Sequence, residues 1–251
     1  QEEISRLLEM FDVCYDHFGF TNIKIGLSTR PEKKAGDDAI WDSAEEALKA
    51  ALDKSGHEYH INEGDGAFYG PKIDIQISDA IGRYHQLGTV QLDFVLPERF
   101  DLNFNNANNE DERPVVIHRA LLGSLERFFG VYLEHVAGIF PFWLAPEQAV
   151  IVPVNLDLHM TYAKKMCRDL QKKGFRVRVD ERNETMGLKT RQIQKAKVPF
   201  MIVIGDKEIE SNSAALRAYG TKFTKVMTQD EMFAQFNELD AEKIPGKVRE
   251  L

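Results

Sequence analysis

The chain has 251 residues, of which 43% are hydrophobic and 29% charged, with a formal net charge of −8. That composition predicts a soluble globular protein, and no apolar run approaches the roughly 20 residues that span a bilayer. Two distant cysteines, Cys14 and Cys167, exclude a disulfide scaffold and predict a reducing, cytoplasmic setting with no membrane partner.

Residues 2–18 carry Ile4, Leu7, Leu8, Phe11 and Tyr15 at helical spacing, and "NIKIGLS" alternates as a strand. A second helix reads over 43–56, opened by Ser43 with Glu46 at capping-box spacing. "KIDIQIS" then puts Ile73, Ile75 and Ile77 on one face and Lys72, Asp74 and Gln76 on the other. "TVQLDFVL" repeats the pattern, with Gln91 and Asp93 opposite Leu92 and Phe94. Such alternation predicts an antiparallel sheet with one packed and one open, polar face. "NFNNANNEDERP" is a polar hairpin tip, and "VVIHRALLGSLERFFG" runs from an apolar strand into a helix.

Pro141 and Pro146 mark a boundary that the charge confirms. Residues 1–142 hold 13 basic and 25 acidic side chains, a balance of −12, whereas residues 143–251 hold 19 and 15, a balance of +4. Within the second part, residues 164–197 carry 12 basic against 4 acidic side chains, which suits either phosphate contacts or a solvated pair of helices. After the boundary, strand and helix alternate: strands at 149–154, 175–180, 199–205, 214–219 and 222–227, helices at 158–174, 186–197 and 228–239. That order predicts a small α/β domain with a mixed sheet. The fold class is therefore α/β overall: an antiparallel-sheet α+β first part, 1–142, and a mixed-sheet second domain, 143–251.

Three constellations carry chemistry. In "EGDGAFYGPKIDI", Gly64, Gly66 and Gly70 build either a tight hairpin or a loop that lets the backbone approach a ligand, with Tyr69 and Lys72 beside it. A lysine there suits a carboxylate or phosphate oxygen. In "RYHQLGTVQLDF", a turn or bulge at Leu87–Gly88 lets Gln86 and Gln91 share the open face. In the third, the helix after the Gly123–Ser124 turn offers free N–H groups to an anion, and Arg127 near its first turns reaches a terminal phosphate. Locally, His118 reads as a hydrogen-bonded core histidine, since zinc requires three or four ligands and no other His or Cys stands at a useful spacing.

Taken together, "STRPEK", "EGDGAFYGPK", "GTVQLDF", "HRALLGSLERF" and "FPFWLAP" resemble, in order and spacing, the second half of the threonyl-tRNA synthetase family of class II aminoacyl-tRNA synthetases. "HRALLGSLERF" is similar to class II motif 3. The resemblance implies ATP-dependent activation of threonine and its transfer to threonine tRNA. It places Arg127, Lys72 and Gln86 among the catalytic positions, and Tyr69, Gln91 and Ser124 among the substrate-binding ones. It also makes His118 one of three ligands of a Zn2+ that reads the threonine hydroxyl, and it implies Mg2+ with the ATP. The second domain resembles an anticodon-binding domain, with Asn183, Glu208 and Arg217 at base-reading positions and Tyr219 where the family often has a second arginine. A homodimer is implied for the parent protein. Motifs 1 and 2 and two zinc ligands have no counterpart here, and the first residue is Gln. A piece of a longer protein, inactive alone, is expected. A non-catalytic RNA-binding module and a prolyl or glycyl class II enzyme are the alternatives; "EGDGAFYGPK" with "HRALLGS" argues against the last.

Overall fold

A computed structural model describes residues 1–241 and 243. Residue 242 and residues 244–251 of the expected second domain lie outside the described residues. The chain divides into two compact units, Gln1–His135 and Val136–Leu251. The division falls before the charge boundary at 142 because Phe142, 1% exposed, belongs to the second unit's core.

The first unit runs α1 (Glu2–Phe18), β1 (Ile23–Ser28), α2 (Asp38–Ser55), β2 (Tyr59–Asn62), β3 (Lys72–Ser78), β4 (Tyr84–Asp93), α3 (Val95–Arg99), β5 (Phe104–Asn105), β6 (Asp111–Glu112), β7 (Val116–Ala120) and α4 (Leu125–His135). Its main sheet has the order β2-β1-β3-β4-β7, antiparallel except for the β1–β2 pair; β5 and β6 form a separate hairpin at the polar tip. The alternation read in the sequence holds: Ile73, Ile75, Ile77, Val90 and Leu92 are buried, together with Ile4, Leu8, Phe11 and Tyr15 of α1 and Trp41, Leu48 and Leu52 of α2.

Two local expectations are corrected, and one strand is new. Helix α2 begins at Asp38, not Ser43, because Asp37 Oδ1 accepts a hydrogen bond from the backbone N of Ile40 at 2.9 Å. The earlier start carries Trp41, fully buried, into the core. Val95 and Leu96 do not extend β4 but open the short α3, since the Asp93 carboxylate caps both of their N–H groups. Strand β2 carried no sequence signal because its side chains are mostly exposed at a sheet edge.

The second unit runs β8 (Ala149–Pro153), α5 (Leu156–Lys172), β9 (Val177–Val179), α6 (Met186–Lys195), β10 (Phe200–Ile204), α7 (Asp206–Glu210), β11 (Ser213–Ala218), β12 (Lys225–Thr228) and α8 (Gln229–Ala241). The sheet order is β12-β11-β10-β8-β9, with β8 parallel to both β9 and β10 and the other two pairs antiparallel. It is the mixed sheet that the strand–helix order predicts. One core holds Ile151, Ile202 and Leu216 of the sheet with Met166 and Leu170 of α5 and Met232 and Phe236 of α8; a smaller one joins Val150, Val152 and Met201 to Ile193 of α6. The two helical layers therefore cover opposite faces of one sheet.

Candidate active site and nucleic-acid interface

Strand register assembles the first site. Ser28 stands opposite Lys72, Lys72 opposite Gln91, and Gln91 opposite His118, so one row crosses β1, β3, β4 and β7. Facing residues in a ladder project to the same side, which gathers three of the predicted positions on the polar face. Arg119, one residue on, pairs with Val90 and belongs to the opposite side.

Gln86 joins them through a bulge. The β3–β4 register shifts between Ile75 and Gln76, pairing Ile75 with Gly88 and Gln76 with Gln86 and leaving Leu87 as the extra residue. Gln86 and Gln91 are an odd number of positions apart and would otherwise lie on opposite faces. With the bulge, Leu87 turns into the core at 1% exposure and Gln86 donates from Nε2 to Asp74.

Asp74 is the residue that sequence reasoning missed. Alternation placed it on an open polar face, yet it is 3% exposed. Its Oδ2 accepts from Lys72 Nζ at 2.5 Å and Ser28 Oγ at 2.9 Å, and its Oδ1 accepts from Gln86 and, at 3.4 Å, from Thr89. A carboxylate has about four lone-pair positions, so Asp74 is saturated: it organises the face and has nothing left for a substrate. Lys72 also donates to Asp65 at 3.2 Å, leaving one of its three N–H bonds for a ligand oxygen. Burial opposes the Lys72 charge, but hydrogen bonds and attraction from Asp74 and Asp65 outweigh it and raise its pKa above the ordinary lysine value.

The glycine-rich loop serves the chain's own backbone. A Cβ on Gly70 would stand 2.0 Å from the Leu92 carbonyl oxygen, and one on Gly66 would stand 2.5 Å from that of Thr29. The loop thus lies flat on the strands and delivers Tyr69, whose hydroxyl donates to Gln91 Oε1 at 2.8 Å. On the far side, His118 donates from Nε2 to Asp93 Oδ2 at 2.9 Å. Burial works against the Asp93 charge, but the N–H groups of Leu96 and Val95 and the His118 ring hold its pKa below the usual carboxylate range. Asp93 therefore accepts, and Nδ1 of a neutral His118 keeps its lone pair.

Helix α4 closes the arrangement. Gly123, at φ +62°, lies against the backbone of Leu87 and Gln86 at the bulge. Ser124 Oγ accepts from the backbone N of Arg127 at 3.2 Å, capping the helix. The Arg127 side chain is exposed and makes no hydrogen bond or ion pair among the described residues. Among the described residues, no group of three or more His, Cys, Asp or Glu is placed to hold a metal ion. What is present fits a single position of a zinc site, that of His118.

The second unit spreads its predicted positions over three elements. Asn183 is exposed in the β9–α6 loop. Glu208 lies in α7, where its Oε2 accepts from the Gly205 backbone N at 2.9 Å. Arg217, in β11 opposite Met201, shares the α6 face of the sheet and donates from Nε to the Thr221 carbonyl at 2.9 Å. No hydrogen bond joins the three to one another. The cationic run is less free than its count suggests: Lys164, Lys165, Arg178 and Arg182 pair with acids, Arg176 binds the Ala145 and Trp143 carbonyls, Lys197 donates to the Ala137 carbonyl, Lys173 lies over the Phe233 ring, and Lys189 is 2% exposed. Arg168, Lys172, Arg191 and Lys195 remain exposed and unpaired among the described residues.

Comparison with known proteins now decides the family. Residues 1–136 match the model of the tRNA synthetase class II core domain (G, H, P, S and T), and residues 148–239 match an anticodon binding domain. The chain belongs to the class II tRNA synthetase core family. Among curated class II relatives, it is 46% identical over 245 residues to a threonine–tRNA ligase of Natranaerobius thermophilus, covering 96% of this chain and 38% of that protein. It is 50% identical over 217 residues to that of Thermotoga maritima, covering 86% and 34%. The chain thus spans little more than a third of these relatives. A solved RNA binding domain of threonyl-tRNA synthetase from Cryptosporidium parvum Iowa II superposes with a TM-score of 0.90 at 42% identity, covering 95% of this chain and 60% of that one. A putative threonyl-tRNA synthetase from Aeropyrum pernix superposes at 0.81 with 30% identity, covering 96% and 60%.

Proposed function

We propose that this chain works in threonine–tRNA ligation, with residues 1–142 contributing to the class II catalytic core and residues 143–251 reading the anticodon. The reading rests on the transverse row of Lys72, Gln91 and His118, flanked by Gln86 and the capped start of α4. The chemistry is attack of the threonine carboxylate on the α-phosphorus of ATP, with loss of pyrophosphate, followed by transfer to the terminal ribose of threonine tRNA. Lys72, charged and with one N–H unused, binds a carboxylate or phosphate oxygen. Gln91, its amide oxygen held by Tyr69, turns its NH2 toward the same face. Arg127, unpaired in the positive first turn of α4, takes the terminal phosphate of ATP, with Mg2+ sharing the charge. Ser124 holds that turn in shape.

His118 serves as one ligand of a zinc ion whose role is to distinguish a hydroxyl-bearing substrate from its isostere; Asp93 fixes its ring, as carboxylates do for metal-bound imidazoles. Asn183, Glu208 and Arg217 contact anticodon bases, and half-buried Tyr219 stacks against one. The parent protein acts as a homodimer in the cytoplasm; among the described residues, no helix is long and apolar enough to cross a membrane.

A chimera tests this. The chain replaces the matching segment of the Thermotoga maritima ligase, and threonine-dependent ATP–pyrophosphate exchange is measured. We expect exchange in the chimera, at least about a hundredfold loss in Arg127→Ala and Lys72→Met, and none from the 251-residue chain alone. Exchange that both substitutions leave intact sinks the reading.

A further inference from the structure

Two charged side chains of the second unit are withdrawn from the surface. Asp180 follows β9 at 1% exposure, and Lys189 lies within α6 at 2%. Buried charges persist only where they are paired and hydrogen-bonded, and the partners here converge on one loop.

Arg182 donates to the Asp180 carboxylate from its backbone N at 3.2 Å, from Nε at 2.8 Å and from Nη2 at 2.5 Å. The Asp180 backbone N donates to the Ile151 carbonyl at 2.8 Å, fastening the loop to β8. Lys189 reaches across from α6 to the Asp180 carbonyl oxygen at 3.4 Å, and Arg182 also binds Gln192 of α6. Beyond the cluster, Glu184 N donates to the Arg182 carbonyl at 3.0 Å, and Thr185 caps α6 through Leu188 N at 3.3 Å. Glu181 is held through its side chain by Lys164, so every residue from 180 to 185 is tethered except Asn183. Asn183 is exposed and makes no hydrogen bond among the described residues.

We propose that Asp180, Arg182 and Lys189 form a hydrogen-bonded charged cluster, one ion pair plus a lysine on the Asp180 carbonyl, that positions Asn183, holding the loop in its base-contacting conformation before RNA arrives. The proposal rests on the reading of Asn183 as an anticodon contact. A loop ordered in advance loses less conformational freedom on binding, and that saving appears as affinity and discrimination. Lys189, being buried, acts without touching a phosphate, so its effect passes through Asn183.

The test uses the full 251-residue chain and a fluorescein-labelled anticodon stem-loop of threonine tRNA, with versions changed at single anticodon bases. Fluorescence anisotropy gives affinities for wild type, Lys189→Met, Asn183→Ala and the double variant. Lys189→Met is expected to weaken binding about tenfold on the wild-type background and to add nothing to Asn183→Ala. It is also expected to narrow the gap between the cognate loop and its base-changed versions, with the salt slope unchanged. Lys189→Arg restores binding. Asp180→Asn repeats the series if melting followed by circular dichroism shows Lys189→Met unfolded. Additive losses in the double variant, or a loss equal across all loops, overturn the proposal and leave the RNA reading standing. No binding by the wild-type chain overturns both.

Discussion

At the scale of single residues, the site depends on groups whose hydrogen bonds are spent within the chain. Asp74 satisfies four donors at once, and the loss of its charge leaves Lys72 and Gln86 without the acceptor that aims them. Asp74→Asn places an NH2 against Lys72 or Gln86, and we expect a loss of roughly 1–3 kcal/mol, read from the denaturant midpoint. Gly70→Ala forces a methyl group into the Leu92 carbonyl, 2.0 Å away. Because that obstacle is backbone, we expect about 2 kcal/mol or more of destabilisation. Gly64, at φ +77° with nothing within 4 Å of where a Cβ would stand, costs less on the same change. The sequence announced Lys72, Gln91 and Tyr69 by type and place. It concealed Asp74 because period-2 alternation assigns a face, not a depth, and this polar face is roofed by Lys72, Gln86 and Asp65. It concealed the reason for Gly66 and Gly70 too, since close approach to a distant strand is a tertiary fact.

Among the elements, those with strong periodicity were legible and those fixed by distant partners were not. Helices α1, α5 and α8 and strands β3, β8 and β10 follow from pattern alone. Helix α2 lost five residues in the sequence reading because Ser43 offered a capping box while Asp37 supplied the bond. Asp37→Ala should therefore cost about 1 kcal/mol and Ser43→Ala little, a contrast that thermal melts resolve. The bulge at Leu87 was readable from Gly88 and from two glutamines at odd spacing. Deleting Leu87 closes the bulge while leaving Gln86 opposite Gln76 on the polar face, and it removes a side chain buried in the core. The expected outcome is a lower melting temperature, from the buried side chain lost, in a chain that still folds with Gln86 against Asp74, as a solved structure would show.

Across the whole molecule, charge governs response to pH and salt. Asp79 has its pKa lowered by the His85 hydrogen bond, against burial and with further bonds from Arg83; Asp93 and Asp180 are lowered as well. A depressed folded-state pKa contributes stability that is present above the unfolded value, about 3.9, and is lost as pH falls through the folded one. Melting temperature should accordingly hold from neutrality to about pH 4 and drop below it. Asp79→Asn should flatten that acid limb. The twelve cations of 164–197 suited either phosphate contacts or a solvated pair of helices, and burial, ion pairs, backbone carbonyls and one ring contact leave four of them free. At about 0.7 per phosphate on single-stranded RNA, those four predict a salt slope near −3, which a titration in KCl checks. Sequence counts charges without their partners, and that is why the patch looked larger than it is.

The row through Ser28, Lys72, Gln91 and His118 also sets where evolution is free to add or remove residues. Each member sits on its own strand, held by ladder bonds and not by the length of the connection between strands. The stretch from Pro97 to Pro114 can therefore grow or shrink among relatives while His118 stays opposite Gln91. A single residue gained or lost between Thr89 and Asp93 shifts one member of the row past the other three. Length variation in this family should crowd into the first stretch and vanish from the second.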